Sequence, residues 1–312
     1  MMDRILLDMF VTGLPLVPVV LGIYMVFRIK ADFDLTVEGS FVTGGAVCAI
    51  SLGNGVEAWV AILFGVVAAA AAGFVTSILH LLLKIPVLLA GLIMSIGLFS
   101  VNLHILGQPT VSLALDETIF SPFDSFDAGA ADLATIALMG TVIALTMAAF
   151  ALFLKTETGL ALRATGDNNR MSRSQGVNDK FMTVLTLVIA NGLAGLGAGL
   201  AVQHQSYADV NMGLGTFVAG VGAVLLGELM FRPSGSKLLR IVLAVVVGTL
   251  AYRLILVASL RFGLPASDLK GVMALTLVVA IAFERYMGPV AGRFRVRREP
   301  VPPAARTREK VN

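Results

Sequence analysis

Charge is what this sequence has least of. Asp, Glu, Lys and Arg make up 14% of its 312 residues, against roughly 25% in a soluble domain, where they cover the surface. Hydrophobic residues reach 57% and mean hydropathy is +0.89, so the length that would suit two soluble domains lacks the polar surface for one. Cysteine is nearly absent: Cys48 alone cannot form an internal disulfide, and its apolar neighbours suit a packing role. The three histidines, His80, His104 and His204, form no HExxH or other paired metal spacing, and no metal site is expected. No Gly-Lys dipeptide occurs, which excludes the loop that cradles ATP phosphates in many ATPases. No catalytic residues stand out, so an enzyme is not expected. The net charge of +3 is small, and no nucleic-acid partner is expected.

In place of charge the chain has long apolar runs. Residues 58–83, 85–106, 133–154 and 181–202 each hold 22 to 26 residues without one Asp, Glu, Lys or Arg. A bilayer core about 30 Å thick needs about 20 residues of helix, so each run is long enough to span. Five more segments complete nine expected spans: 5–27, 35–53, 210–231, 241–260 and 266–284. The last four contain charge, including Glu38, Glu228, Arg253, and Asp268 with Lys270. The first exceeds a signal-peptide core and lacks a basic leader and a small-residue cleavage site. It reads as a retained span that tolerates Pro15 and Pro18. The expected fold class is all-α, a polytopic transmembrane bundle of about 8–10 helices over 1–285.

Basic residues set the orientation. If 155–180 faces the cytoplasm and the spans alternate, 19 of the 23 Lys and Arg lie inside, as the positive-inside rule requires. The N-terminus is then outside and the C-terminus inside. Residues 107–132 face outside with Asp116, Glu117, Asp124, Asp127 and Asp132 and no Lys or Arg. This is either a solvated loop or a rim that docks an external partner. The tail 286–312 is basic and contains prolines, and is expected to be a disordered cytoplasmic anchor with weak attraction to membrane lipid. The polar loop 155–180 is longer than a connector, and Gly159 and Gly176 bracket a segment expected to hold a short amphipathic helix ending near Gly166.

Two hexapeptides match. Gly39-Ser40-Phe41-Val42-Thr43-Gly44 and Gly215-Thr216-Phe217-Val218-Ala219-Gly220 share four identities. Each begins a Gly-rich span, the second and the seventh, with four spans between them, so the copies enter the membrane from opposite sides. That pattern fits an inverted-topology repeat; shared helix-packing glycines are the other reading. The repeat reading places Glu38, Gly39, Ser40, Phe41, Gly215, Thr216 and Phe217 on a translocation path. Asn191 is polar within a span and either lines that path or bonds a neighbouring helix. Gly195 and Gly199 form GxxxG, a close-packing face.

Four stretches carry a family resemblance: TGLALRATGDN at 158–168 with Met171 and Gly176-Val177 after it, NGLAG at 191–195, TVEGSF at 36–41, and ADVNMG at 208–213. Together the chain resembles, over roughly 30–285, the permease subunits of ABC importers, in the branch of the branched-chain amino-acid and ribose-type permeases. Within it the sequence looks most like a group linked to aromatic amino-acid uptake. The resemblance implies two paired permease subunits in a bacterial inner membrane, two ATPase subunits inside and a substrate-binding protein outside. It implies that ATP and Mg sit on the ATPase, with no cofactor on this chain. It also implies that 155–180 couples to the ATPase through Gly159, Leu162, Arg163, Ala164, Gly166, Asn168, Met171 and Gly176, with Arg163 the polar anchor, Leu162 and Met171 apolar contacts, and the glycines making turns. An ion-coupled secondary transporter is the alternative, although the third to sixth spans hold no carboxylate for coupling.

The orientation has a direct test. In a Cys48→Ala background, Ser121→Cys is expected to react with a membrane-impermeant thiol reagent from outside, and Ser174→Cys only after permeabilisation. The reverse order would overturn the scheme.

Overall fold

A computed structural model describes residues 2–231, 238–265 and 268–292. Arg232, Lys237 and the tail expected to be disordered, beyond Gly292, lie outside them. The described chain is helical almost throughout, because a backbone in hydrocarbon must satisfy its own N–H and C=O groups. The helices are α1 (Met2–Gly13), α2 (Leu16–Tyr24), α3 (Thr36–Gly53), α4 (Ala58–Leu83), α5 (Val87–Leu106), α6 (Ala128–Phe153), α7 (Glu157–Asp167), α8 (Asn169–Ser174), α9 (Asp179–Gln205), α10 (Thr216–Met230), α11 (Leu238–Arg261) and α12 (Leu269–Gly292). Six of them carry segments long and apolar enough to cross a membrane, and α1 with α2 forms a seventh, bent pair. With the shorter apolar helices α10 and α12, these account for the nine expected spans.

The first span is not a single straight helix. It bends by 55° between Ile5–Gly13 and Leu16–Lys30, where Pro15 supplies no N–H to α1 and sets the φ of −59° that starts α2. Pro18 falls in the first turn of α2, where a missing N–H leaves no bond unmade. The helix then widens into a π-helical segment, Met25–Lys30, that ends at Ala31 in the left-handed region, φ 61°. Lys84 makes a similar left-handed stop, φ 54°, between α4 and α5.

At the centre lie α3 and α9, with 72% and 67% of their apolar windows buried, against 17% for α6. Glycines let α3, α4 and α9 approach closely. A Cβ on Gly44 would sit 2.6 Å from Gly195 Cα, and one on Gly195 would sit 2.6 Å from Ala69 Cβ and 2.8 Å from the Gly65 carbonyl. Gly199 packs on Ile62 of the same α4 face, so GxxxG works as a packing surface. The outer faces of α4 and α5 expose Leu63, Phe64, Val67, Leu92, Ile93 and Ile96, which suits hydrocarbon.

The two ends of the bundle differ. At the acidic end, β1 (Thr110–Ser112) pairs antiparallel with β2 (Tyr207–Asp209), Thr110 opposite Asp209. Thr110 Oγ1 donates to Asp209 at 2.5 Å. That hydroxyl and the N–H of Asn211 hold the Asp209 carboxyl below the usual carboxylate range. Gln203 of α9 accepts from the Ile119 N–H at 2.9 Å and donates to the Ala58 carbonyl at 2.8 Å. The acidic loop is therefore fastened to the top of α9. At the opposite, basic end sit α7 and α8.

Gly195→Leu is expected to force α9 from α4 and to lower stability by about 1–3 kcal/mol or more, the usual penalty of overpacking. Gly140→Leu on α6, where a Cβ meets open space, is the control. Thermal unfolding of the purified chain checks both, and equal midpoints would contradict the packing assignment.

Candidate functional site

The chain between the π-helical segment and α3 crosses half the bundle without being helical. Lys30, almost fully buried, ends the π segment and places its Nζ 2.5 Å from Asp179, the first residue of α9. Four residues later Asp34 reaches Asn191, at the centre of α9. Residues 31–34 therefore run beside the first half of α9, and α3 begins deep inside the bundle.

A polar cluster surrounds that start. Asp34 is 1% exposed; its Oδ1 accepts from the Thr36 N–H at 2.8 Å and its Oδ2 from Asn191 Nδ2 at 2.8 Å. Asn191 also donates to the Leu187 carbonyl at 2.8 Å and accepts from the Ser40 hydroxyl. Thr36 Oγ1 lies 2.8 Å from Thr76 Oγ1 of α4. No cation is paired with this carboxylate among the described residues. The cluster joins α3, α4 and α9 through hydrogen bonds whose loss would strand a buried group.

The second polar contact joins α3 to α10. Glu38 Oε1 accepts from the Gly215 N–H at 3.1 Å, and the Phe217 N–H also bonds this carboxylate. Gly215 has φ 84°, a conformation that favours glycine, and caps α10. Glu38 thus satisfies orphan N–H groups at the positive end of a helix from another span. The two matching hexapeptides meet here but differ locally: Gly39 is inside α3, whereas Gly215 precedes α10.

The eight path residues fall into four settings. Ser40 and Asn191 belong to the polar cluster, and Glu38 makes the bridge to α10. Phe41, Gly215 and Thr216 line a cavity of about 270 Å3. Gly39 and Phe217 pack: a Cβ on Gly39 would meet Leu98 at 2.9 Å, and Phe217 lies against the cluster around Ile23 and Phe41. Asp34 escaped the sequence reading because a charge in a short basic loop looks solvated. Its signal is Asp two residues before Thr36, an Asx pattern that accepts the N–H of residue i+2.

Loop 155–180 folds into two short helices. Thr156 caps α7 by accepting from Gly159 N, Asn168 caps α8 by accepting from Met171 N, and Asn178 caps α9 by accepting from Phe181 N. The first of these is the expected amphipathic helix, ending at Asp167. Gly159 and Gly166 lie within it and do not make turns. A Cβ on Gly159 would sit 2.6 Å from Leu154 Cα, and one on Gly166 would strike the Ile29 carbonyl. Only Gly176, φ 85°, turns the chain. Leu162 is fully buried and holds α7 to the bundle, so it is not an outward contact; Leu160, Ala164 and Met171 are exposed. Arg163 is half-buried, within electrostatic reach of Tyr24. Asp179 ties the region together, bonding Lys30, Arg173 at 2.8 Å and Asn169 at 3.0 Å.

Comparison with known proteins adds an independent finding. Residues 5–282 match the family model described as the branched-chain amino acid transport system / permease component. The chain is 31% identical over 262 residues, 84% of its length and 85% of the relative's, to the tyrosine transport system permease protein of Clostridioides difficile (strain R20291). It is also 31% identical over 281 residues, 89% of its length and 97% of the relative's, to an uncharacterized protein of Rickettsia prowazekii (strain Madrid E). No solved structure matches it.

Asn191→Ala removes partners from Asp34 and Ser40 at once. The variant is expected to lose about 1–3 kcal/mol, the cost of stranding buried polar groups. Thermal unfolding of the purified chain measures this, and an unchanged midpoint would show that the cluster does not hold α3, α4 and α9 together.

Proposed function

Since the chain belongs to the family of branched-chain amino acid transport system permease components, we propose that it is the translocation subunit of an ATP-binding-cassette importer for amino acids. The printed name of the Clostridioides relative supports tyrosine or a related aromatic amino acid as the cargo. In this reading two permease subunits pair in a bacterial inner membrane with 155–180 inside. Separate ATPase chains hold ATP and Mg, and an external binding protein delivers the solute at the acidic end.

One connected set of contacts carries the proposal. The helices α7 and α8 present Leu160, Ala164 and Met171 outward, where an ATPase groove could take them. Asp179 bolts α8 to Lys30, α7 packs on the same π-helical segment at Ile29, and Lys30 begins the stretch that ends at Asp34 and Asn191. A displacement of α7 and α8 is thus passed, through packed and ion-paired groups, to the starts of α3 and α10. Stiff elements in contact are what rigid-body coupling needs. On the outer side, Asp116 and Glu117 line a groove with Trp59 and Leu115, an acidic and apolar surface for a docking protein.

The ion-coupled alternative is separated by energy source. Uptake should stop when ATP is depleted and persist with an uncoupler; the opposite pattern would reject the importer. A second test addresses the loop. Arg163→Glu is expected to leave an inserted chain that no longer retains its ATPase in pull-down and shows no substrate-stimulated hydrolysis. Normal co-purification with near-normal uptake would remove Arg163 from the coupling contact.

A further inference from the structure

The cavity of about 270 Å3 beside Phe41 and Gly215 has an unusual charge pattern. Its lining is mostly apolar and contains no carboxylate, and Arg253 of α11 is its one permanent charge. An arginine inside a membrane bundle is costly and normally pairs with an anion or a carbonyl. Here Nε donates to Thr12 Oγ1 at 3.0 Å, and Thr12 itself donates to the Asp8 carbonyl at 2.6 Å. That neutral contact orients the guanidinium without neutralising it. The neighbouring carboxylate, Asp8, is engaged at 2.5 Å with Arg261. No acceptor for the remaining guanidinium N–H groups is present among the described residues.

A second group points the same way. Tyr252, 3% exposed, lines the same cavity, and its buried hydroxyl has no hydrogen-bond partner. Leaving such a hydroxyl unmatched is expensive, and native structures rarely keep one without a reason. Other polar side chains, His204, Gln205 and Tyr207, also line the cavity. Thr249 donates to the Val245 carbonyl. At the start of α10, Gly215 and Phe217 N–H bond Glu38, and Thr216 N–H bonds the Gly213 carbonyl. A forked cation and an unmatched hydroxyl therefore sit on adjacent residues of this wall.

We propose that Arg253 and the Tyr252 hydroxyl bind the carboxylate of a small solute in this cavity, with the solute's side chain against Phe41, Met212 and Met273. Guanidinium presents parallel N–H groups that match a carboxylate in bidentate fashion. The volume lies near the lower end of ligand cavities, which fits a single amino acid and excludes a peptide. The assignment deepens the importer reading and rests on it for how the solute arrives and leaves. It makes the cavity a station for amino acids with a free carboxylate and discriminates against their amines.

The test reads the cavity directly. Ala219, on its wall, is replaced by Cys in the Cys48→Ala background, and modification of the purified chain is timed. Two methanethiosulfonates are compared, the anionic sulfonatoethyl and the cationic trimethylammonioethyl reagents. The anionic reagent should be favoured by about tenfold or more over an exposed reference Cys, as expected for one nearby charge at intermediate dielectric. Arg253→Gln should abolish that preference and Arg253→Lys should keep it, which distinguishes charge from misfolding. L-Leucine and L-tyrosine should slow the reaction, whereas isoamylamine and tyramine, which lack the carboxylate, should not. Tyr252→Phe should weaken this protection while keeping the reagent preference.

Equal rates for the two reagents, a preference that survives Arg253→Gln, or equal protection by amines would each overturn the site. Uptake is measured separately in the complete complex with its ATPase and binding protein. Absence of ATP-driven uptake, with the anion preference and carboxylate protection intact, would retire the importer reading and leave the site standing.

Discussion

The span α3 begins in the bundle interior, and α10 begins at the wall of the cavity that Gly215 and Thr216 line. The first N–H groups of any α-helix lack intrahelical acceptors, and in apolar surroundings each unmet one costs several kcal/mol on the order of a lost buried hydrogen bond. The protein meets the need with carboxylates. Asp34 accepts from Thr36 at the start of α3, and Glu38, one turn into α3, accepts from Gly215 and Phe217 at the start of α10. Because Asp34 also accepts from Asn191, the solution for one helix fixes its neighbours. The positions of α3, α9 and α10 are thus consequences of one backbone requirement.

Packing then removes the freedom that the hydrogen bonds leave. Gly44, Gly65 and Gly195 bring α3, α4 and α9 to backbone contact, so these three helices cannot slide independently. By contrast α6 is mostly exposed within the monomer and has little share in the central contacts. At the start of α9, Asp179 joins this trio to α8 through Arg173 and Asn169 and to the π-helical segment through the Lys30 ion pair, buried on the lysine side. Breaking one partner of such a pair leaves an uncompensated charge, which makes it a stiff joint.

Much of this was legible in the residues. Apolar run length marked the helices, GxxxG marked a close-packing face, and the paired hexapeptides singled out Glu38 and Gly215, which hydrogen-bond each other. The loop helix α7 was expected from its apolar spacing and ends one residue past Gly166. Other features depend on distant partners that local pattern does not encode. Pro15 could be tolerated or break a span, and only the packing of α1 on α11 beside Gly13 shows where the two halves of the bend go. Leu162 looked like an outward apolar contact because nothing in its neighbours says which face of α7 meets the bundle. Asp34 and Arg253 read as a loop charge and a blemish in a span, since their meaning lies in residues 157 and 241 positions away.

The helix α9 joins the two ends of the bundle. At 27 residues it is a rod of about 40 Å at 1.5 Å per residue. Asp179 binds the loop helices at one tip, Asn191 holds the polar cluster at the middle, and Gln203 holds the acidic loop at the other tip. In a complex of the proposed kind, the external protein and the ATPase would grip opposite ends of one lever. Thermodynamic reciprocity then applies: whatever factor nucleotide binding imposes on the affinity for the external protein, that protein returns to nucleotide binding. A loaded binding protein would act as a message read inside the cell, without any solute having crossed.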